Sequence, residues 1–102
     1  MNTNRHELIK NNDIVYQVVG CAMEVINELG HGLREKTYEK ALVVELKRNN
    51  ILFSQQKIYR VFYKNVHIDN YVPDLLVNDE VIVELKLYKI FVINILDRSL
   101  II

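Results

Sequence analysis

Residues 72–86 read VPDLLVNDEVIVELK, and this stretch decides how the second half of the chain folds. Two apolar runs rich in β-branched residues flank the polar triplet at 78–80, a pattern typical of an antiparallel hairpin. A three-residue loop sets Asp74 opposite Glu84, whereas a two-residue loop points Asp74 away from it. The three-residue loop also gathers the apolar side chains on the face that helices can cover: Leu75, Val77, Val81, Val83 and Leu85.

Glu84 and Lys86 are two residues apart, so they share one face of a strand that is otherwise apolar. With a three-residue loop, Asp74 joins them. Two unit charges ~4 Å apart repel by about 4 kcal/mol at an effective dielectric constant of about 20, so paired carboxylates favour a proton or a cation. A hard ion such as Mg²⁺ binds carboxylate and carbonyl oxygens together with water. The alternative is a solvated outer face on which Glu84 and Lys86 form an ordinary ion pair.

Two helices precede the hairpin. Apolar residues recur at three- and four-residue steps over 14–29 and again over 34–48, which is the period of an amphipathic helix. Gly30 and Gly32 lie between the two segments and predict a tight corner. Short β-rich runs follow at 51–53, 57–63, 66–77 and 81–88. We therefore expect an α/β fold in which two N-terminal helices pack on a small mixed or antiparallel sheet.

The chain has 102 residues, half of them hydrophobic and a quarter charged, as expected of one compact domain. We divide it into a polar N-terminal segment at 1–12, a core domain at 13–88 and an atypical apolar tail at 89–102. The apolar residues of the tail follow neither the helical nor the strand period.

Charge and hydropathy limit the classes of partner. Thirteen Lys and Arg balance thirteen Asp and Glu, so phosphate binding requires a local patch. Lys57, Arg60, Lys64 and His67 form either such a patch or an ordinary solvated surface. No apolar stretch approaches the ~20 residues that span a bilayer, so no membrane association is expected. The polar N-terminus and the lone Cys21 lead us to expect a cytoplasmic protein.

Two motifs resemble a known family. Pro73-Asp74, followed by Glu84-Leu85-Lys86, resembles the signature of the PD-(D/E)XK nuclease superfamily. The segment at 32–38, GLREKTY, is similar to the G-x-x-E-x-x-Y pattern that names the GxxExxY family, a group within that superfamily. The resemblance extends over roughly residues 13–87.

The resemblance implies a restriction-endonuclease-like core in which Asp74 and Glu84 hold Mg²⁺ or Mn²⁺ and the backbone carbonyl of Leu85 adds a ligand. Lys86 would then orient or activate the attacking water, and Glu35 would be a further acidic residue at the site. The implied chemistry is metal-assisted hydrolysis of the phosphodiester bonds of nucleic acid.

The residues of the second motif also have simpler explanations. The negative charge of Glu35 at the start of a helix interacts favourably with the helix dipole, and Tyr38, one turn later, is suited to the core. Gly30 and Gly32 are conformational, because no strand leads into them as a phosphate-binding loop requires.

After Lys86 the chain departs from the family pattern, which continues with a helix carrying a Gln and a Tyr and then a closing strand. We expect a truncated or altered ending, whose open apolar sheet edge favours a homo-oligomer. Three hypotheses follow. The first is a Mg²⁺-dependent nuclease impaired by its ending. The second is a non-catalytic module of the same fold that binds a protein or nucleic-acid partner, and the third is a metal enzyme acting on a small phosphate ester.

Overall fold

A computed structural model describes residues 13–86, 89–95 and 99–101, so the predicted polar segment at 1–12 lies outside the described residues. Helices α1 (Asp13–Leu29) and α2 (Glu35–Arg48) come first. The strands that follow are β1 (Phe53–Ser54), β2 (Tyr59–Tyr63), β3 (Val66–Tyr71), β4 (Leu75–Val77), β5 (Val81–Lys86), β6 (Lys89–Asn94) and β7 (Ser99–Ile101). The predicted α/β fold, with two helices on an antiparallel sheet, is confirmed.

The corner between the helices depends on two glycines and one tyrosine. Gly30 and Gly32 have φ angles of 72° and 100°, in the region that favours glycine. The N–H of Gly30 donates to the carbonyl of Ile26 at 2.8 Å and closes α1. The hydroxyl of Tyr38 donates to the carbonyl of Gly30 at 2.7 Å and accepts the N–H of Leu33 at 3.2 Å. The predicted conformational role of the glycines is confirmed.

Five of the described strands form one antiparallel sheet in the order β1, β4, β5, β6, β7. Val77 of β4 pairs with Val81 of β5, which is the pairing expected for a three-residue loop. Asn78 and Asp79 have φ angles of 53° and 56°, and this left-handed backbone reverses the chain. The predicted register of the hairpin is therefore confirmed.

Strands β2 and β3 form a separate two-stranded sheet. The prediction of one continuous strand over 66–77 is wrong, because β3 ends at Tyr71 and the chain enters the larger sheet only at Leu75. Pro73 lies in the gap. A proline has no N–H for a β-ladder and restricts the residue before it, so the two strands separate there.

The hydrophobic core lies between the helices and one face of the larger sheet. Val18 of α1 and Leu42 and Leu46 of α2 are fully buried. They pack in one cluster with the sheet residues Leu75, Val77, Val81, Val83, Leu85 and Val92. Burial of a large aliphatic side chain contributes about 1.5–3 kcal/mol, so this cluster holds the helices on the sheet. The apolar face predicted for the hairpin is the face that the helices cover.

Residues 89–94 and 99–101 continue the sheet. Strand β6 pairs with the whole of β5, from Lys86 opposite Lys89 to Val81 opposite Asn94, and β7 pairs with β6. A strand therefore stands where the family pattern has a helix. Within the part of the chain that the structure describes, neither helix is long and apolar enough to span a bilayer.

Candidate metal centre

Asp74 and Glu84 meet where the β4–β5 pair begins. Asp74 immediately precedes β4, and Glu84 is within β5. The N–H of Asp74 donates to Oε1 of Glu84 at 3.3 Å, and the N–H of Leu85 donates to Oδ2 of Asp74 at 2.7 Å. Each carboxylate is thus oriented by the backbone of the other segment. The structure brings these two acids together as the hairpin register requires.

Both carboxylates lie on the sheet face that the helices do not cover. Side chains alternate along β5, so Glu84 points away from the face on which Val83 and Leu85 join the core. Asp74 and Glu84 are half-buried. This position leaves the carboxylates accessible to water and ions while the backbone donors restrict their orientation.

Tyr71, the last residue of β3, contacts Glu84, and this contact was not predicted from the sequence. Its hydroxyl donates a hydrogen bond to Oε2 of Glu84. Burial, the hydrogen bond to Glu84 and the negative charges of Glu84 and Asp74 raise the pKa of Tyr71 above its ordinary value. The hydroxyl therefore keeps its proton and remains a donor. The only signal in the sequence is that Tyr71 lies three residues before Asp74, which does not indicate a contact with Glu84.

Lys86 ends β5 and is exposed. Strand alternation gives it the same face as Glu84, but at the end of the sheet it also borders the cavity on the helix side. Within the described ranges no ion pair joins Glu84 to Lys86, so the structure does not contain the ordinary pair that was the alternative explanation of this motif.

Glu35 begins α2 and lines a cavity of about 340 Å³ between the helices and strands β5 and β6. Lys86 also lines this cavity, but Asp74 and Glu84 do not. The cavity is on the helix side of the sheet, whereas the two carboxylates are on the opposite side. The structure thus places Glu35 near Lys86 and not beside the paired carboxylates.

The two carboxylates supply the oxygen ligands that a hard divalent cation prefers. An oxygen that accepts one hydrogen bond retains a second lone pair, so the backbone contacts of Asp74 and Glu84 are compatible with coordination. Across residues 13–86, 89–95 and 99–101, no group of three His, Cys, Asp or Glu side chains is placed to hold a metal ion. An ion at this pair would complete its shell with water, a backbone carbonyl or phosphate oxygens, as Mg²⁺ usually does.

Tyr38 is a core residue whose hydroxyl also binds the corner between the helices. Its ring is 8% exposed and belongs to the core cluster, while its hydroxyl bridges Gly30 and Leu33 across the corner. Because the corner leads directly into α2, Tyr38 helps to place Glu35 at the mouth of the cavity.

Comparison with known families agrees with this geometry. The family model described as the PD-(D/E)XK nuclease superfamily matches residues 12–94. The matched region contains both helices, the paired carboxylates, Lys86 and β6. Neither the curated proteins nor the solved structures contain a significant match to the chain.

Proposed function

Because the chain belongs to the PD-(D/E)XK nuclease superfamily, we propose that it is a metal-dependent nuclease that hydrolyses phosphodiester bonds of nucleic acid. The observation that carries the proposal is the pairing of Asp74 with Glu84, in which each carboxylate accepts a backbone N–H from the other segment. Two neighbouring acids favour a cation between them, and a cation at that point can supply the chemistry of phosphodiester hydrolysis.

In this proposal Asp74 and Glu84 hold Mg²⁺ or Mn²⁺, with the carbonyl of Leu85 as a further ligand. The bound ion lowers the pKa of water and neutralises charge on the phosphate oxygens. Lys86, exposed at the end of β5, orients the attacking water and stabilises the developing negative charge. Tyr71 keeps Glu84 in one orientation through its hydrogen bond.

Within the superfamily we assign the chain to the GxxExxY family. The support is local geometry: Gly32 has a positive φ, and Tyr38 binds the corner that precedes α2. Glu35 then opens α2 at the cavity that Lys86 also lines. We propose that Glu35 acts on the site through Lys86, by attracting its ammonium group.

A non-catalytic module that binds nucleic acid or a protein is the second candidate. The observation in its favour is β6, which pairs with β5 along its full length where the family pattern continues with a helix. That helix supplies residues near the active site in the family pattern, so its replacement favours binding without cleavage.

Thermal unfolding with and without Mg²⁺ or Mn²⁺ tests the metal centre. A ligand that binds only the folded state at 100 times its Kd stabilises by about 2.7 kcal/mol, so metal should raise the melting temperature of the wild type. Asp74→Asn should abolish the rise. Asp79→Asn is the matched control, because it removes the same charge from the exposed turn of the same hairpin. If neither Mg²⁺ nor Mn²⁺ changes the melting temperature of the wild type, the proposal is contradicted.

Cleavage is then measured on single- and double-stranded DNA and RNA. If the protein is a nuclease, we expect it to cleave a substrate only when metal is present and to stop when a chelator is added. Asp74→Asn should lose this cleavage, and Asp79→Asn should retain it. If metal raises the melting temperature and no nucleic acid is cut, the result rejects the nuclease and supports the non-catalytic module or the enzyme acting on a small phosphate ester.

We also propose self-association through the β7 edge, because no described strand pairs with the outer side of β7 and a free edge strand can pair with a second copy. A monomeric sedimentation profile at micromolar concentration contradicts this. The free and buried Cys21 is compatible with the proposed cytoplasmic location, which cell fractionation tests.

A further inference from the structure

The β2–β3 hairpin and the residues leading into it, 57–71, extend from the core and are called the ribbon below. Among the described strands its two strands pair only with each other, and every residue from 60 to 70 is exposed. The exposed residues include large apolar side chains such as Phe62, Tyr63 and Ile68. A contiguous exposed apolar patch on a protein surface marks an interaction site.

The charges of the ribbon differ from those of the whole chain. The ribbon carries three Lys and Arg against the single carboxylate of Asp69, whereas the complete chain has no net charge. Each of the three cations lies over an aromatic ring: Lys57 over Tyr59 at 5.8 Å, Arg60 over Phe62 at 5.4 Å and Lys64 over Tyr63 at 5.4 Å. Positive charge and exposed rings are therefore interleaved along the ribbon.

One face of the ribbon forms a continuous platform. Arg60 pairs with Asn70 across the strands, and Phe62 pairs with His67. The rings of Phe62 and His67 are 5.5 Å apart, and Nε2 of His67 is 2.7 Å from Oδ1 of Asn70. A guanidinium, two flat rings and an amide thus lie side by side in solvent.

The base of the ribbon reaches the candidate metal centre. The rings of Tyr59 and Tyr71 are 6.4 Å apart, and the hydroxyl of Tyr71 donates to Glu84. By strand alternation, Tyr59 and Tyr71 lie on the face opposite to Arg60 and Asn70, so the ribbon adjoins the metal centre at its base through the face that does not carry the platform.

We propose that the ribbon binds single-stranded nucleic acid beside the paired carboxylates, an inference that rests on the proposed function. Cations contact the phosphates, and exposed rings stack with unpaired bases, which is how proteins bind single strands without reading sequence. The bases of a duplex are already stacked on each other, so the exposed rings favour single strands. A purely apolar partner would not interact with the positive charges of the ribbon, whereas the phosphates of a nucleic acid would.

Binding is measured by fluorescence anisotropy with labelled oligothymidylate and oligouridylate of about 15 nucleotides, a length chosen to cover the site of one small domain. The full chain is used, and a chelator prevents cleavage. The wild type should bind both single strands more tightly than a duplex of the same length, with affinity that falls as salt rises.

Arg60→Gln should weaken binding about tenfold and reduce the salt dependence, because one phosphate contact is lost. Arg48→Gln is the matched control: it removes the same charge from an exposed position on α2, outside the ribbon. Equal losses in the two variants would overturn the proposal.

Phe62→Leu separates stacking from general apolar contact, since leucine keeps the apolar surface and removes the ring. We expect about tenfold weaker binding with an unchanged melting temperature, because the ribbon lies outside the core. Full binding by this variant, or tighter binding of duplex, would overturn the proposal. The proposal would also be overturned if the wild type were a dimer and Phe62→Leu dissociated it, because the ribbon would then bind a second copy of the chain.

The two proposals fail separately. The metal-dependent rise in melting temperature needs no nucleic acid and depends on Asp74, whereas anisotropy in chelator needs no metal and depends on Arg60 and Phe62. Loss of the first effect alone rejects the metal centre, and loss of the second alone rejects the ribbon.

Discussion

The hydroxyl of Tyr71 donates a hydrogen bond to Oε2 of Glu84 and so joins the end of β3 to the candidate metal centre. Oε1 of the same carboxylate accepts the N–H of Asp74 at 3.3 Å. Donors on both sides of Pro73 therefore hold the two oxygens of Glu84. A carboxylate oriented by such outer contacts loses less freedom when it binds a cation, which favours binding.

Tyr71→Phe should weaken the binding of Mn²⁺ about tenfold, since loss of a contact that orients a metal ligand typically has an effect of this size. Isothermal titration calorimetry measures the affinity. Tyr63→Phe is the control, because it removes a hydroxyl from an exposed tyrosine on the ribbon. Unchanged affinity in Tyr71→Phe would mean that the hydroxyl does not orient Glu84 for metal.

Tyr38→Phe should lower the free energy of unfolding by about 1–2 kcal/mol, because the carbonyl of Gly30 and the N–H of Leu33 each lose a partner. Urea denaturation measures the change. Tyr16→Phe, at a position that is 62% exposed on α1, should leave stability unchanged. Equal stabilities of the wild type and Tyr38→Phe would show that the corner does not depend on this hydroxyl.

Leu42→Ala should destabilise the protein by about 2–5 kcal/mol, the usual range for removing a buried leucine. Leu42 is 0% exposed at the centre of the core cluster. Val44→Ala on the same helix is the control, because Val44 is 55% exposed and its truncation should change stability little. Chemical denaturation distinguishes the two variants, and a small effect at Leu42 would contradict the packing of α2 on the sheet.

Cys21 should react with iodoacetamide at higher pH in the folded protein than in the unfolded chain. Burial, and then the negative charge of Glu45, raise the pKa of this thiol above its ordinary value, and the thiolate is the reactive form. Because the pKa is higher in the folded state, the associated stability is present below the unfolded pKa and is lost as pH rises through the folded pKa.

The test compares alkylation rates against pH in buffer and in concentrated urea. Cys21→Ser supplies the background rate at each pH. Coincident pH profiles in the two solvents would show that folding does not shelter the thiol.

Local signals predicted much of the fold. The helical period of the apolar residues placed both helices to within a residue at their starts, and Gly30 and Gly32 predicted the corner between them. The polar triplet at 78–80 predicted the hairpin register, because a shift of one residue would have exposed a face of valine and leucine. These features depend on neighbours in the chain, which is why the sequence was sufficient for them.

Contacts between distant segments were less accessible. The run at 66–77 looked continuous because both parts have high β propensity, yet it divides at Pro73 between two sheets. The tail followed no clear period, and β6 became a strand by pairing with β5. Strand pairing of this kind depends on which sheet edge is free in the folded chain. Amino-acid composition does not show which edge that is.

By itself, the sequence predicted the two helices and the hairpin and limited Asp74 to two registers, one of which faces Glu84, since periodicity and turn length act over a few residues. Only the tertiary structure decided that Tyr71 binds Glu84, that Glu35 lies beside the helix-side cavity with Lys86, and that β2 and β3 leave the core as a ribbon. The reason is physical. These relationships arise when separate elements pack, and packing is a property of the whole fold.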